Sequence, residues 1–259
     1  MATVTYRDGI AILQLIFFPV LLVAALFIWK RTGWKAARKS WRFVVTLSLI
    51  RIAGGICTLL AISNDSSNIL IAEAVCELIG IAPLLLTYIG LLRQIDTKQR
   101  VHPKFISAVA ITCFIGLILG IAGISIDDDN TSTYHANSMV KAAMGIFLAV
   151  FAIVTLLTAW LAVQLRPTLG AGQKKLFLAI LLSWPFLLVR VVYSAIADFT
   201  DDPRFAILTG DATIYLCMDV LEEIIAMVIC VVFGVLAVLN KEGKQPLDEE
   251  KSGPGSGEI

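Results

Sequence analysis

Charge and histidine are scarce in this sequence. Only 16% of its 259 residues are Asp, Glu, Lys or Arg, against about 25% in a typical soluble domain. Its two histidines, His102 and His135, fall in predicted loops, which excludes a haem held between helices by two histidines. An intramembrane zinc site also lacks convergent His or Cys ligands. The sequence therefore predicts neither a metal site nor a cofactor.

The cysteines and the net charge exclude two further classes of protein. All five cysteines lie inside apolar blocks, so they do not form the disulfide framework of a secreted domain. Lys and Arg number 21 and Asp and Glu number 20, which gives a net charge of +1. A chain without a basic excess has no long-range field to attract nucleic acid. We expect buried thiols and no nucleic-acid partner.

Apolar residues are abundant and continuous. They make up 58% of the chain, and the mean hydropathy is +0.85. A helix needs about 20 apolar residues to cross a hydrocarbon core of about 30 Å, and lipid-exposed backbone must be helical to satisfy its polar groups. The sequence predicts an all-α bundle of seven transmembrane helices in residues 1–240 and a disordered cytosolic tail in 241–259. The predicted spans are 9–29, 43–62, 69–92, 105–126, 139–163, 176–196 and 211–239.

The basic residues predict the orientation of the bundle. Loop 30–42 contains six Lys or Arg and no acid, and loops 93–104 and 164–175 are also basic. The alternate loops are acidic or neutral. Since loops rich in Lys and Arg stay in the cytosol, the N-terminus is predicted outside and the C-terminus inside.

The predicted outer loops carry two further signals. The sequons at Asn64 and Asn130 both fall in such loops, which is typical of a protein of the plasma membrane or another secretory-pathway membrane. Asp198, Asp201 and Asp202 are assigned to the last outer loop, after span six.

Ionisable side chains inside the spans mark the candidate site. Each costs at least about 2.5–3.5 kcal/mol at the centre of a membrane helix, so each needs a partner or water. Spans 1 and 4 carry none and are expected to face lipid. A rise of about 1.5 Å per residue places most of these groups in one layer in the outer half of the bilayer. The candidate ligand-binding residues are Arg51, Glu73, Glu77, Arg190, Tyr193, Asp219, Glu222 and Glu223.

Two interpretations of this layer are open. In the functional one, a surplus of acids around the arginines forms a polar pocket that opens to the outside and favours cations, amines or protons. In the structural one, Arg51 and Arg190 only hold acidic helices together. Glu222 and Glu223 are adjacent and point about 100° apart on a helix, so one of them is expected to face elsewhere.

Proline, glycine and aromatic residues add local expectations. Pro19, Pro83 and Pro185 lie inside spans one, three and six and are expected to interrupt these helices, because proline removes a backbone hydrogen bond. A stripe of glycines in span four favours close helix packing. Trp41 and Tyr88 lie near predicted cytosolic ends of spans, where aromatic residues sit at the membrane interface.

Four stretches carry a family resemblance. They are the Tyr-Arg-Asp-Gly at 6–9, residues 49–55, residues 175–194 and the Leu-Glu-Glu at 221–223. Together they resemble a family of fungal seven-helix membrane proteins of unknown function, over about residues 6–240. The most specific part is the Pro-Phe-x-x-x-Arg-x-x-Tyr motif of span six, combined with the acidic pair of span seven.

A more distant resemblance concerns the same two spans. They look like those of the fungal lipid-translocating exporter family, which is linked to resistance to toxic amphiphiles. Its members carry an Arg-x-x-Tyr-like motif in span six and acids in span seven. Here the motif ends with Tyr193-Ser194 and lacks the further Arg and Glu of the exporters.

Three functions follow as hypotheses. The first is a binder or transporter of small amphipathic or cationic molecules, embedded in the lipid bilayer and using the polar layer as its site. The second is a seven-helix receptor, although the rhodopsin-class motifs are absent and loop 164–175 offers little surface to a signalling partner. The third is a membrane-embedded cyclase in which an intramembrane acid protonates the substrate. No residue is assigned a catalytic role.

Overall fold

The computed structural model is built from α-helices, one π-helical segment and one 3-10 turn. No strand occurs among the residues that it describes. The all-α prediction is therefore confirmed. The described residues are 5–32, 40–62, 69, 72, 75, 76, 79–97, 99–126, 137–165, 170–200, 202–205 and 210–242.

Most of the predicted spans form long helices. Within the described residues, every helix below except α3 is long and apolar enough to cross a membrane, which gives six candidate spans. A multi-pass helical membrane protein is thereby confirmed, whereas a seventh crossing and the side of each terminus stay predictions. The helices are α1 Tyr6–Thr32, α2 Trp41–Ala61, α3 Ile81–Ile95, α4 Pro103–Ile126, α5 Ser138–Leu165, α6 Ala171–Phe199 and α7, which comprises Ala212–Tyr215, the π-helical Leu216–Val220 and Leu221–Glu242.

The third predicted span, 69–92, is interrupted. Its second half belongs to α3, an apolar helix of 15 residues. A turn at Gly80 precedes α3, and Pro83 has no N–H to donate to the carbonyl of Ile79, four residues earlier. The proline therefore breaks the run of helical hydrogen bonds where the sequence predicts an interruption. In the first half, the described residues Ile69, Ala72, Val75, Cys76 and Ile79 are helical.

Helix α3 lies at the centre of the bundle. It contacts α2, α4, α5 and α6, and 13 of its 15 residues are buried. A helix that is apolar on every side is expected to be surrounded by protein or lipid, and this one is surrounded by protein. Of the six long helices, α4 buries the smallest share of its span, 22%, and α6 and α7 the largest, 44%. Helix α4 therefore faces mostly outward, as predicted for span four.

Three helix pairs build the bundle: α1 with α2, α4 with α5, and α6 with α7. The α4–α5 pair is closely packed through glycine. A Cβ atom on Gly116 would lie 3.0 Å from Ile146 and Phe147, and one on Gly123 would lie 3.1 Å from Met139. Since a larger side chain would push the helices apart, the glycine stripe serves the packing role that the sequence indicates.

Polar contacts join the beginnings of α1 and α7. Arg7 Nη2 donates a hydrogen bond of 2.9 Å to the carbonyl of Gly210, and its guanidinium carbon lies 5.5 Å from the ring centre of Tyr215. About two helical turns further along α1, Gln14 Nε2 donates to Tyr215 Oη at 3.4 Å. The two helices therefore start at the same end of the bundle and run parallel, as the first and last spans of the predicted topology do.

Candidate functional site

Four charged side chains from three helices meet in the interior. Arg51 comes from α2, Arg190 from α6, and Asp219 and Glu223 from α7. Each of the four residues is 1% exposed. We call these four residues the ion-pair cluster. They are half of the eight candidate residues that the sequence predicts.

The π-helical segment of α7 helps to place the two acids. The N–H of Leu221 bonds to the carbonyl of Leu216, five residues earlier, so the helix is locally wider than an α-helix. Asp219 lies inside this segment and Glu223 lies four residues later, and both are buried toward α2 and α6. Such segments occur often at functional sites. The π-helical segment of α7 therefore helps to set the positions of both acids in the site.

Arg51 holds Glu223 with two hydrogen bonds. Its Nε donates to Oε1 at 2.7 Å and its Nη2 donates to Oε2 at 2.5 Å. The same Nη2 lies 3.4 Å from Asp219 Oδ2. A guanidinium that binds both oxygens of a carboxylate is the strongest geometry for such a pair. Helix α2 is thereby fastened to α7.

Arg190 completes the cluster from α6. Its Nη1 pairs with Asp219 Oδ1 and also donates to Ser194 Oγ at 2.6 Å. Its Nε lies 3.6 Å from Glu223 Oε2, which is too long for a hydrogen bond. Each carboxylate therefore faces both arginines, and two positive charges balance two negative ones.

The remaining candidates are placed differently. Glu222 is half-buried, and its Oε2 has no hydrogen-bond partner in the described part of the chain, so it is the acid of the adjacent pair that faces away. Tyr193 is buried, with its ring 6.3 Å from that of Phe205. Glu73 and Glu77, on which the predicted surplus of acids depends, lie outside the described residues, as do Asn64 and Asn130.

The backbone of Gly80 forms one wall of the ion-pair cluster. A Cβ atom at this position would lie 2.5 Å from Arg51 Nη2 and 3.0 Å from Glu223 Oε2. Only glycine leaves room for the guanidinium to lie over the chain here. The turn that precedes α3 is thus part of the site, which brings a fourth segment of the chain to it.

We expect Gly80→Ala to lower the stability of the protein by about 1–3 kcal/mol, because the added methyl group displaces a guanidinium fixed by two hydrogen bonds. The measurement is the thermal unfolding midpoint of the purified protein in detergent. Gly145→Ala is the matched control, since a Cβ atom there meets nothing within 4 Å. Equal midpoints for the two variants would show that the cluster tolerates the methyl group.

Asp198 is a residue that the sequence analysis placed wrongly. The sequence predicts an outer loop after a span ending at residue 196, but α6 continues to Phe199 and leaves Asp198 only 5% exposed. Its Oδ1 has no hydrogen-bond partner among the described residues. The positive charges of Arg190 and Lys141 both act on it. Its spacing from Arg190 and Ser194, eight and four residues along one helix face, is the signal that would have found it.

A small cavity joins Asp198 to the ion-pair cluster. Arg190, Ser194 and Asp198 form its polar wall, and apolar residues of α3, α4 and α5 form the rest, among them Ile81 and Phe147. Its volume is about 30 Å³, which is enough for an ordered water molecule with several polar partners. The cavity is therefore amphipathic, with charge on the α6 side and hydrocarbon opposite.

Apolar helices around a buried, charge-balanced cluster define a multi-pass α-helical membrane protein. Within that class, the chain belongs to the family described as domain of unknown function DUF7702, which matches residues 4–240. No curated protein and no solved structure matches the chain. The predicted membership of an uncharacterised family is confirmed, and the match covers nearly the whole predicted transmembrane domain.

Proposed function

We propose that this protein binds small amphipathic molecules with an amine or hydroxyl head group in the cavity beside Asp198, and that it carries them across the membrane. The observation that carries the proposal is a buried carboxylate oxygen that lacks a hydrogen-bond partner in the described part of the chain and lies in a cavity with one polar and one apolar wall. A buried polar atom without a partner costs free energy. A donor on a ligand would remove that cost.

The cavity walls support an amphipathic ligand. The closed cavity, at about 30 Å³, has room only for a water-sized group, so a ligand enters only when α4 and α5 move away from α6. Its head group would then meet Asp198 and Ser194, and its hydrocarbon chain would lie against Val140 and Met144 of α5. Within the ion-pair cluster each carboxylate is already balanced by an arginine, so Asp198 supplies the free acceptor oxygen for a ligand. This arrangement favours a cationic or donor head group over an anionic one.

Movement of the α4–α5 pair against α6 would admit such a ligand. The pair is closely packed within itself, and α5 contacts α6 much less extensively than it contacts α4. Trp184 of α6 holds the two helices together at that interface. Its Nε1 donates to Thr155 Oγ1 at 3.0 Å, and its ring stacks on Phe151. Pro185 follows directly and weakens α6 at the same level. Rocking of one packed unit against another is a common transport movement.

Two sequence predictions agree with this proposal. The resemblance of spans six and seven to the fungal lipid-translocating exporters points to amphipathic molecules. The sequons in predicted outer loops favour the plasma membrane or another secretory-pathway membrane. The receptor and the cyclase stay alternatives predicted from the sequence.

The test is binding of dodecylamine to the protein in lipid nanodiscs, measured as a rise of the thermal unfolding midpoint. We expect Asp198→Asn to weaken binding about tenfold to a hundredfold, because a hydrogen bond to a charged group contributes about 1.5–3 kcal/mol. The unliganded midpoint should not fall, since asparagine has nearly the same size and shape as aspartate. Uptake of labelled dodecylamine by vesicles containing each variant then tests transport.

Asp202→Asn is the matched control for this experiment. Asp202 lies four residues further on, outside the candidate spans, and forms a surface ion pair with Arg204 at 2.7 Å. Hydrogen bonds from Arg204 lower the pKa of Asp202 to about 2, so this surface carboxylate is ionised at neutral pH. Dodecanoate that stabilises the protein as well as dodecylamine does would refute the proposed head group. Equal affinities of wild type and Asp198→Asn would refute the site.

A further inference from the structure

Two arginines from neighbouring helices face a second cleft, at the basic end of the bundle. Arg42 is at the start of α2 and Arg93 is near the end of α3, and the cleft between them has a volume of about 190 Å³. Phe43, Ile89 and Ala110 are among its apolar lining residues. This cleft is separate from the cavity beside Asp198, with which it shares no residue.

Both guanidinium groups are held in place by neighbouring residues. Arg42 lies over the ring of Phe43, with 4.5 Å between the guanidinium carbon and the ring centre. Arg93 Nη2 donates to Ser107 Oγ at 2.6 Å. The two positive charges are thus already oriented without a bound anion.

No carboxylate of the described residues lines this cleft. The nearest acid in sequence, Asp96, accepts hydrogen bonds of 2.9 and 2.8 Å from the backbone N–H groups of Arg100 and Val101. It therefore shapes the connection between α3 and α4 and does not neutralise Arg93. Two arginines on a cleft without an acid form a site for an anion, and the planar guanidinium suits the oxygens of a phosphate.

We propose that this cleft binds the phosphate head group of an anionic phospholipid. The arginines lie at helix ends, where lipid head groups lie, and the apolar wall continues from them along α3 and α4. An occupant with charge at one end and hydrocarbon at the other fits this wall, whereas free phosphate uses only the arginines. Basic pockets between membrane helices are recognised sites for such head groups.

Native mass spectrometry of the purified protein tests the proposal. The probes are phosphatidylglycerol, phosphatidylcholine with the same acyl chains, and inorganic phosphate. We expect one phosphatidylglycerol to be retained per chain, at least about tenfold more tightly than phosphatidylcholine. Because each basic residue contributes about a factor of five in affinity near an anionic surface, Arg42→Gln combined with Arg93→Gln should weaken retention about thirtyfold.

Two further variants keep the test decisive. Arg100→Gln removes the same charge from an exposed position outside the cleft and should retain the lipid. Ala110→Phe fills the cleft without changing its charge, and this variant should no longer retain the lipid. Equal retention by the double variant and the wild type would overturn the proposal, and so would equal binding of both lipids. Displacement of the lipid by excess inorganic phosphate would overturn the lipid assignment in favour of a free anion.

Discussion

Glu223→Gln should destabilise the protein by about 3–5 kcal/mol, the largest effect that we expect from a single substitution. The change leaves two buried guanidinium groups facing one carboxylate. Removal of one partner from a buried ion pair is far more costly than its replacement as a unit, because the remaining charge loses its compensation in a medium of low dielectric constant. A fall of the thermal unfolding midpoint on the order of 10 °C is expected.

The buried thiols provide the measurement. Cys113 and Cys230 are both 0% exposed, whereas Cys57 and Cys76 are half-buried and Cys217 is exposed, contrary to the expectation of buried thiols. With these three replaced by alanine, a thiol-reactive dye reports the exposure of Cys113 and Cys230 as the protein unfolds in detergent. The compensating variant is Arg51→Gln combined with Glu223→Gln, which leaves the balanced pair of Arg190 and Asp219. We expect it to recover at least half of the lost stability.

Asp202→Asn is the surface control in this series. It breaks an ion pair with Arg204 outside the candidate spans and should change the midpoint little, since surface pairs contribute little to stability. If Glu223→Gln and Asp202→Asn lower the midpoint equally, the ion-pair cluster does not hold α2, α6 and α7 together. A double variant no more stable than Glu223→Gln would show that charge balance is not the cause.

The helices of this protein are predictable because their signal is long and composed of many residues. Six of the seven predicted spans agree with helices of the structure to within a few residues at most ends, since about 20 consecutive apolar residues leave no alternative in lipid. The interruption near Pro83 is also predictable, because a missing N–H acts locally, but the same prediction is wrong for Pro19 and Pro185, which lie inside the continuous helices α1 and α6. Neither conclusion requires knowledge of which helices touch.

The ion-pair cluster is only partly predictable. Depth along each span indicates that Arg51, Arg190 and Asp219 share a layer, but depth does not reveal which side of a helix faces which neighbour. Between Glu222 and Glu223 the choice depends on the rotation of α7, which the π-helical segment alters. The sequence shows no sign of that segment, so the inward acid has to be read from the structure.

Residues near the ends of helices are the least predictable. The charge of Asp198 ends the apolar run and so predicts a loop, yet α6 continues through it to Phe199 and leaves it only 5% exposed. Trp41 and Tyr88 were expected at the membrane interface, but they are 1% and 0% exposed. Aromatic residues suit an interface and a packed core equally well, and only the partner decides between them.

The partner of Trp41 leads to the second large effect. Its indole ring packs directly on the backbone of Gly234 in α7, where an added Cβ atom would lie 2.6 Å from Trp41 Cζ2 and closer still to Cη2. Gly234→Ala should therefore lower stability by about 3 kcal/mol, because a rigid buried ring has no room to move and one of the helices must shift. The dye-based unfolding midpoint again measures the loss.

Trp41→Phe should relieve the clash, because a phenyl ring lacks the distal atoms of the indole. We expect the variant that combines Trp41→Phe with Gly234→Ala to be more stable than the sum of the two single losses predicts. Such non-additive effects are found for residues in direct contact. Gly120→Ala is the control, since its Cβ atom would make an ordinary contact of 3.7 Å with Ala143. Strictly additive losses of stability would mean that Trp41 and Gly234 do not interact. The start of α2 would then not be packed against α7 through this contact.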